Sequence, residues 1–551
     1  MAVATETGTA TGGRAAGEGG AFTGTGTLAR FMLRRDRIRI PVWLLSVSLG
    51  TAATASNLAA TYPTAADRRS RAELVESPAG AAFSGPGHGL GDYTYGAMLA
   101  NELLGFVAIF AALMSVLLLV RHTRAEEEAG RAELVRAGVV GRHAPLAAAV
   151  LVVGGANVAL GALMAVVLGG SGIDTVTWPG SLLFGAALAA VGLVFTGAAA
   201  VTAQLTEYGR AAGGAAGALI AVAYTLRAVG DMGGGAWSWL SPIGWAQATK
   251  VYVDGRWWPL VLCLLLAGGL LAAAFALAAR RDVGAGLLPP RPGPRTASAS
   301  LGTSLGLALR LQRAGLLWWA VSMAALGAVY GAFAGDVRDA IAENAALQEW
   351  VGSLPGSSLA DRFVSVITSM LAAVCGVQVI LAMQRPRSEE TAGRAEPVLA
   401  TAVSRTRWLA GHVTVAFAGG VLMLLLAGLG AGAAAAVSVG DAGLLPGTVG
   451  AALAYVPAVW IAGGTALALF GLAPRAMPVA WAVVVYSVFV TTFGGLLRLP
   501  GWMNDLSPFG HVPLLPGADL RWTPLAVLTL VAAALVAAGF AGFRRRDLDL
   551  R

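Results

Sequence analysis

The sequence predicts an all-α polytopic membrane protein, built as two pseudo-symmetric six-helix transmembrane bundles with re-entrant outer loops. Three observations indicate this class. Of the 551 residues 56% are hydrophobic and only 12% are charged, about half the roughly 25% of charged residues in soluble domains. The apolar residues form runs close to the roughly 20 residues that a spanning helix needs. Motifs also recur about 265 residues apart. A disordered, disulfide-rich or nucleic-acid-binding chain is excluded.

Twelve apolar segments are long enough to cross a bilayer as helices. They lie at about residues 40–60, 98–120, 146–169, 181–203, 212–230, 259–279, 316–334, 363–384, 409–437, 448–472, 477–497 and 523–543. Both cysteines, Cys263 and Cys375, fall inside these spans, and the five histidines are scattered. Disulfide frameworks and metal sites need such residues at close spacing. We therefore expect no metal site and no catalytic residues.

The basic residues indicate the orientation. With the N-terminus in the cytoplasm, 28 of the 38 arginines and lysines fall on the inner side and 10 on the outer side. This asymmetry is the one that the positive-inside rule describes, and it accounts for the net charge of +8 without a nucleic-acid partner. The excess of Ala, Gly and Arg suggests a GC-rich bacterial genome. We expect a multi-pass protein of the bacterial cell membrane with both termini cytoplasmic.

Motifs of the first half recur in the second half. Residues 124–133 (RAEEEAGRAE) and 387–396 (RSEETAGRAE) are identical at eight of ten positions, and LSPIG at 240–244 corresponds to LSPFG at 506–510. Each copy begins inside and has an even number of spans, so the repeat is parallel, about an axis along the membrane normal. The expected domains are a disordered tail at 1–27, a first half at 28–279, a cytoplasmic linker at 280–304 and a second half at 305–551.

A basic, amphipathic segment precedes the first span of each half, at Leu28–Ile40 and at Leu305–Leu317. Alternating apolar residues and arginines are typical of a helix lying in the membrane interface. Simple flanking charge that obeys the positive-inside rule is the other interpretation. Both interpretations leave these segments at the inner leaflet.

The most informative feature is the pair of Glu-rich loops, residues 124–133 and 387–396, each between the second and third spans of its half. A helix through Glu127, Arg131 and Val135 would place these residues on one face. The structural alternative is a solvated helix whose acids pair with its own arginines. The functional hypothesis is a docking helix for a cytoplasmic partner. Its candidate residues are Glu126, Glu127, Glu128, Arg131 and Glu133 in the first half and Glu389, Glu390, Arg394 and Glu396 in the second.

The loops before the last span of each half carry Ser-Pro-x-Gly motifs among seven tryptophans. Pro- and Gly-broken helices at membrane depth persist only when packed in protein or lining a cavity. We therefore predict re-entrant elements that form an outer gate, with an aromatic belt at the interface as the alternative. The gate candidates are Ser241, Pro242, Gly244, Ser507, Pro508 and Gly510. The candidates for the substrate pathway are Trp43, Tyr224, Trp319 and Tyr486, with ordinary packing as their alternative.

Few ionisable groups lie within the spans. Glu102 begins the second span and Arg227 ends the fifth. This scarcity of ionisable residues within the spans counts against an ion-coupled carrier. Gly213 and Gly217, in the fifth span, have the small-xxx-small spacing that permits close helix packing. A phosphate-binding loop needs Gly-Lys followed by Ser or Thr, but the one lysine, Lys250, follows Thr249. No ATP site is expected in this chain.

These features resemble those of a known family, the permease subunits of bacterial ATP-binding-cassette exporters of the fused twelve-span type that exports polyketide antibiotics. The resemblance rests on the doubled Glu-rich loops, the Gly85-Pro-Gly segment that leads to Glu102, and the Ser-Pro-x-Gly loops. It implies that each Glu-rich loop is a coupling helix seated in a nucleotide-binding subunit. The second copy departs from the first at Thr391 and Pro397, in place of Glu128 and Leu134, so the two loops need not engage their partners equally.

The expected function is therefore that of a permease for an ATP-driven exporter of hydrophobic or amphiphilic compounds. Two copies of a separate ATPase subunit would bind ATP and Mg²⁺, and this chain would bind no cofactor. The first alternative is a twelve-span drug–proton antiporter, whose transport would persist without an ATPase and collapse with the proton gradient. The second is a membrane sensor or scaffold, which loss of export on deletion would argue against.

Overall fold

The computed structural model describes residues 20–548 except 234, 283, 289–292, 294, 336–358 and 494–499. In this part of the chain the regular elements are helices, and no strand occurs. Twelve of the described helices are long and apolar enough to cross a membrane, which confirms the all-α polytopic class and the number of spans. The chain separates into two compact units, Met1–Pro292 and Gly293–Arg551, and each is described by itself.

Among its described residues, the first unit contains six spans and seven shorter α-helices. The spans are α2 (Arg39–Thr61), α6 (Leu104–His122), α9 (Ala144–Gly169), α10 (Trp178–Leu205), α11 (Gly209–Met232) and α13 (Pro259–Ala278). The shorter helices are α1 (Thr25–Arg35), α3 (Ala65–Glu76), α4 (Pro78–Phe83), α5 (Tyr95–Glu102), α7 (Arg124–Glu128), α8 (Arg131–Arg136) and α12 (Pro242–Gln247). The most buried span is α10, because it packs against α6, α9, α11 and α13.

The second unit repeats this order. Its elements are α14 (Ser304–Ala332), α15 (Leu359–Thr391), α16 (Ala395–Leu399), α17 (Arg405–Val439), α18 (Leu444–Ala454), α19 (Val456–Leu472), α20 (Trp481–Phe493), α21 (Gly501–Asp505) and α22 (Trp522–Arg545). The tenth span is broken at Tyr455 between α18 and α19, and a 3-10 segment over Pro474–Ala480 leads into α20. Among the described residues, each unit therefore has six spans.

The structure differs from the expected helix boundaries at three places in the first unit. Residues 1–19 of the predicted disordered tail lie outside the described residues, but residues 20–27 form a turn and the beginning of α1. The second span begins at Leu104 instead of 98, because α5 is a separate helix that ends at Glu102. The basic segment at Leu28–Ile40 is two helices, since α1 ends at Arg35 and α2 begins at Arg39.

A buried aspartate lies at the last of these breaks. Asp36 is fully buried, and its carboxylate accepts from Arg121 Nε at 3.2 Å and lies 2.8 Å from His122 Nε2. The carboxylate is thereby paired at the end of α6, as a buried charge requires. At a shift of 276, which also relates Arg34 to Arg310, Asp36 corresponds to the uncharged Gln312, and there α14 runs without a break from Ser304 through the seventh span.

Close helix packing occurs elsewhere than the fifth span. A Cβ added at Gly213 or Gly217 would meet no atom within 4 Å, so no described helix makes use of the close packing that these glycines permit. The close crossing in this unit joins α9 to α10, where a Cβ at Gly161 would lie 2.4 Å from the backbone oxygen of Gly185. The fifth span has the small-xxx-small spacing, but no described helix lies close to these two glycines.

Candidate functional site: the Glu-rich loops and the opposite ends of the two halves

In each Glu-rich loop a left-handed glycine ends one helix before a short helix begins. Gly130 (φ 71°) separates α7 from α8, and Gly393 (φ 70°) separates the end of α15 from α16. A positive φ is readily adopted by glycine and is costly for other residues. The predicted single helix through Glu127, Arg131 and Val135 is therefore wrong, because Gly130 turns the chain between the first two of these residues.

The first glutamate of each loop bridges that turn. The carboxylate of Glu126 accepts from Arg131 Nε at 2.8 Å and also from Arg35 of α1 at 2.5 Å. In the second half, Glu389 accepts from Arg394 Nε at 2.9 Å and from Arg385, one turn earlier, at 2.8 Å. Both carboxylates raise the pKa of the arginine across the turn. The turn is thus closed by the same pair in both halves, as the structural alternative predicted.

The second glutamate of each loop is bound by an arginine that follows the last span of its half. Arg281 reaches Glu127 with two nitrogens, at 2.5 and 2.8 Å. Arg546 reaches Glu390 in the same way, at 2.6 Å on both oxygens. We call these two bidentate pairs the loop–span clamps. Their side chains are largely buried, and Glu390 is fully buried. Such forked pairs are among the stronger ionic contacts.

The arginines of the clamps were missed by the sequence analysis, although the repeat contains the signal. Arg281 and Arg546 are 265 residues apart, which is the shift that also relates Arg256 to Arg521. The first clamp has a further support in Arg124, which is fully buried and donates to Glu127 at 2.9 Å and to the Ala285 carbonyl at 2.8 Å. The loop is therefore fastened to the segment that follows the sixth span.

The exposed face of each loop consists of other residues. In the first half Glu128, Arg131, Glu133 and Leu134 are exposed, with Leu134 at 78%. In the second half Thr391, Arg394, Glu396 and Pro397 are exposed.

The two loops also differ where their sequences differ. Glu128 accepts a hydrogen bond from the backbone N–H of Gly209 at 3.2 Å, at the start of the fifth span. Thr391, in the matching position, donates to the carbonyl of Arg387 in its own helix at 3.0 Å. The first loop is therefore also attached to the fifth span, by a contact that Thr391 does not make in the second loop.

The Ser-Pro-x-Gly motifs lie at the end of each half opposite its Glu-rich loop. Ser241 is fully buried, caps α12 before Pro242, and donates to the Ala223 carbonyl of the fifth span at 2.7 Å. Ser507, before Pro508, is also buried and bonds to the Ser487 hydroxyl of the eleventh span at 2.9 Å. In both halves the serine thus fastens a short element to the span that precedes it.

The glycines of these motifs permit close backbone contact. A Cβ at Gly244 would lie 2.1 Å from the Ser238 carbonyl oxygen, and one at Gly510 would lie 2.6 Å from the Asn504 oxygen. The segments are therefore packed against protein, as irregular backbone at membrane depth requires. Their role as an outer gate stays a prediction.

The four pathway candidates all make packing or hydrogen-bond contacts. Trp43 and Trp319 are partly buried against the apolar cores of their halves. Tyr224 donates to the Phe83 carbonyl at 3.3 Å, and Tyr486 donates to the Met503 carbonyl at 2.8 Å. These contacts are those of the packing alternative, and lining of a pathway stays a prediction.

The ionisable groups noted near the membrane are paired. Glu102 lies in α5, outside the second span, and receives Arg71 on both carboxylate oxygens, with the closest approach at 2.6 Å. Arg227 is fully buried in α11, where it binds Asp231 at 3.3 Å and the Ala82 carbonyl at 2.8 Å. Among the described residues, no three His, Cys, Asp or Glu side chains are grouped so that they could hold a metal ion.

The twelve spans and the loops packed against them define a multi-pass α-helical membrane protein. One family model, described as the C-terminal domain of the multidrug efflux system permease Rv1217c, matches residues 27–277 and again 301–544. The chain is also 42% identical to the multidrug efflux system permease protein Rv1217c of Mycobacterium tuberculosis, over 98% of this chain and 97% of that protein. The chain belongs to this family of multidrug efflux permeases.

Proposed function

We propose that the chain is the membrane subunit of an ATP-driven exporter, of the kind that moves hydrophobic or amphiphilic drugs and antibiotics, polyketides included, out of a bacterial cell. Two copies of a separate ATP-binding-cassette subunit would dock on the Glu-rich loops and supply ATP and Mg²⁺. The termini and these loops would lie in the cytoplasm of a cell-membrane protein. The family relationship supports efflux, and the loop geometry supports the ATP-driven form.

The observation that carries this proposal is the pair of loop–span clamps. Each loop presents charged and apolar groups on its exposed face, while Arg281 or Arg546 binds its buried side. A displacement of the loop by a docked subunit would therefore be passed through a bidentate ion pair to the last span of the same half. In this proposal Glu127 and Glu390 anchor the loop, and Arg131, Glu133, Arg394 and Glu396 face the partner.

Transport should require ATP and a second subunit. The purified chain should hydrolyse no ATP, whereas inside-out vesicles that also contain an ATP-binding-cassette subunit from the same genome should accumulate a lipophilic dye when ATP is added. Accumulation should persist when a protonophore removes the proton gradient. Uptake driven by a proton gradient in vesicles that contain this chain alone would contradict the proposal and favour the antiporter. Equal dye efflux with and without the gene would favour a sensor.

The substitution Leu134→Asp should remove one ATPase copy from the complex. Leu134 is 78% exposed on α8, and burying an introduced carboxylate in an apolar contact costs several kcal/mol unless it is paired. Native mass spectrometry should therefore show a change from two ATPase copies per chain to one, since the second loop is untouched. Leu240→Asp, at a position 61% exposed on the opposite end of the same half, is the matched control and should retain two. Two copies on the Leu134 variant would place the contact elsewhere.

A further inference from the structure

A cavity lies at the end of the first half opposite the Glu-rich loop. It measures about 590 Å³ including its open mouth, between the segment before α5 and the chain that joins α11 to α13. In the segment that joins α12 to α13, Lys250 (φ 48°) and Tyr252 (φ 60°) are left-handed residues other than glycine. Such conformations cost about 1–3 kcal/mol each and cluster at ligand sites. The Tyr252 hydroxyl holds the turn in place by pairing with the Ser181 hydroxyl at 2.9 Å.

Two residues that line this cavity, Gln247 and His88, each have a buried side-chain atom with hydrogen-bonding capacity to spare. Gln247 is 3% exposed and its Nε2 donates to the Ser84 carbonyl, but no described group donates to its Oε1. Similarly, no described group hydrogen-bonds to Nε2 of His88, whose backbone is fixed on both sides by the Asn101 amide. Buried polar atoms are normally hydrogen-bonded, and exceptions need an explanation. A bound ligand or water would provide the missing partners.

The charge at the cavity is positive by one unit. Lys250 and Arg256 both bind the exposed carboxylate of Asp254, at 3.2 and 2.7 Å, so two cations share one anion. Asp231, at the cavity wall, is already paired with Arg227. Burial and the charges of Lys250 and Arg256 lower the pKa of His88 to about 4, so that its imidazole is neutral at pH 7. One negative charge on a ligand would balance the site.

Two tryptophans form a flat apolar wall. The rings of Trp239 and Trp258 are stacked at an interplanar angle of 13° with centroids 5.5 Å apart. The indole of Trp245 donates to the Trp239 carbonyl at 2.7 Å and holds that turn in place. Both stacked rings remain about half exposed and line the cavity. Offset stacking of a third ring on this wall contributes a favourable free energy in addition to that of the apolar area it buries.

From these features we propose that the cavity binds a planar aromatic compound that carries one negative charge. The ring system stacks on Trp239 or Trp258, and the anionic group faces Lys250 and Arg256. That the bound compound is cargo on its way out rests on the proposed function, whereas binding itself does not require ATP.

The second half supplies the control, since it lacks part of this arrangement. At a shift of 265, Arg256 and Trp257 correspond to Arg521 and Trp522, but Trp258 corresponds to Thr523. The substitution Trp258→Thr therefore gives the first half the side chain of the second. Arg521→Gln removes the same charge as Arg256→Gln from the corresponding loop. Lys250 and Arg256 are partly exposed, so their variants should fold.

Binding is measured by titration calorimetry on the full chain in lipid nanodiscs, with empty nanodiscs as the blank. The probes are 2-naphthoate, the neutral 2-naphthylmethanol and the cationic 2-naphthylmethylamine. We expect one saturable site for naphthoate, weakened about tenfold or more by Lys250→Met or Arg256→Gln and unchanged by Arg521→Gln. Trp258→Thr should weaken naphthoate and naphthylmethanol alike.

Equal binding of the anion and the cation, or unchanged naphthoate binding in the Lys250 and Arg256 variants, would overturn the site. In ATP-energised vesicles, naphthoate efflux should fall in step with binding across these variants. Unchanged naphthoate efflux by a variant that no longer binds it would overturn the assignment to cargo. Failure of ATP to drive efflux of any dye by the wild type would instead count against the proposed function, and the ATP-free binding result would stand.

Discussion

Replacing Arg546 by methionine should destabilise the protein by about 3–5 kcal/mol, the loss measured when one partner of a buried ion pair is removed. The Glu390 carboxylate is fully buried and accepts both guanidinium nitrogens at 2.6 Å. Water reaches this fully buried carboxylate poorly, so the loss of the guanidinium leaves its charge less well compensated. Arg546 also lies over the rings of Phe470 and Phe543, at 4.8 and 5.1 Å, and methionine retains part of that apolar packing.

The neighbouring residue and the partner provide the controls. Arg545→Met removes an exposed charge on the same helix and should change stability little, as surface substitutions do. Glu390→Gln combined with Arg546→Met should recover much of the loss, because the buried charge is then gone as well. Thermal unfolding of the purified chain in detergent measures all three variants. Equal unfolding midpoints for Arg546→Met and Arg545→Met would mean that the clamp does not contribute to stability.

The matching variant of the first half should be milder. Glu127 is 12% exposed, and Arg124 binds it in addition to Arg281. After Arg281→Met, the second guanidinium and nearby water would still solvate this carboxylate. The two clamps therefore share geometry but differ in how far water reaches the carboxylate, since the Glu127 side chain is 12% exposed and that of Glu390 is fully buried.

The spans could be predicted from the sequence because the bilayer imposes a simple requirement. A helix that crosses it needs about 20 apolar residues with every backbone group bonded internally, and all twelve runs are long and apolar enough for this. The breaks within and beside the spans could not be predicted. The break at Asp36 depends on Arg121 and His122, which lie about 85 residues further along the chain, and no local pattern indicates such partners.

The same distinction applies to the candidate site. The repeat indicates Glu127 and Glu390, and the docking hypothesis directs them toward a cytoplasmic partner. Their partners are about 155 residues away, so the inward orientation follows from tertiary packing. Gly130 could have been read as a turn instead of a helical residue, since glycine in the middle of a polar helix is unfavourable.

Introducing leucine at Gly331 should disrupt the second half, through the close crossing of α14 and α17. A Cβ at Gly331 would lie 2.1 Å from the Ala431 carbonyl oxygen, and one at Gly327 would lie 2.3 Å from the Ala427 oxygen. Real Cβ contacts are essentially never shorter than 3.0 Å, so the helices must separate by about an ångström along their whole contact. Overpacking usually costs about 1–3 kcal/mol and sometimes more. The upper end is expected here, because the obstructing atom is backbone.

Gly315→Leu is the matched control on the same helix. Nothing lies within 4 Å of a Cβ at Gly315, and replacing a helical glycine by leucine is favourable by up to about 1 kcal/mol. The two variants should therefore shift the unfolding midpoint in opposite directions, with Gly331→Leu lower and Gly315→Leu equal to or higher than the wild type. Small residues permit close association of membrane helices without a hydrophobic driving force. The obstructing atom is the backbone oxygen of Ala431, so a smaller side chain at Ala431 cannot relieve the contact. A Gly331→Leu midpoint at the wild-type value would mean that α14 and α17 are not packed at this distance.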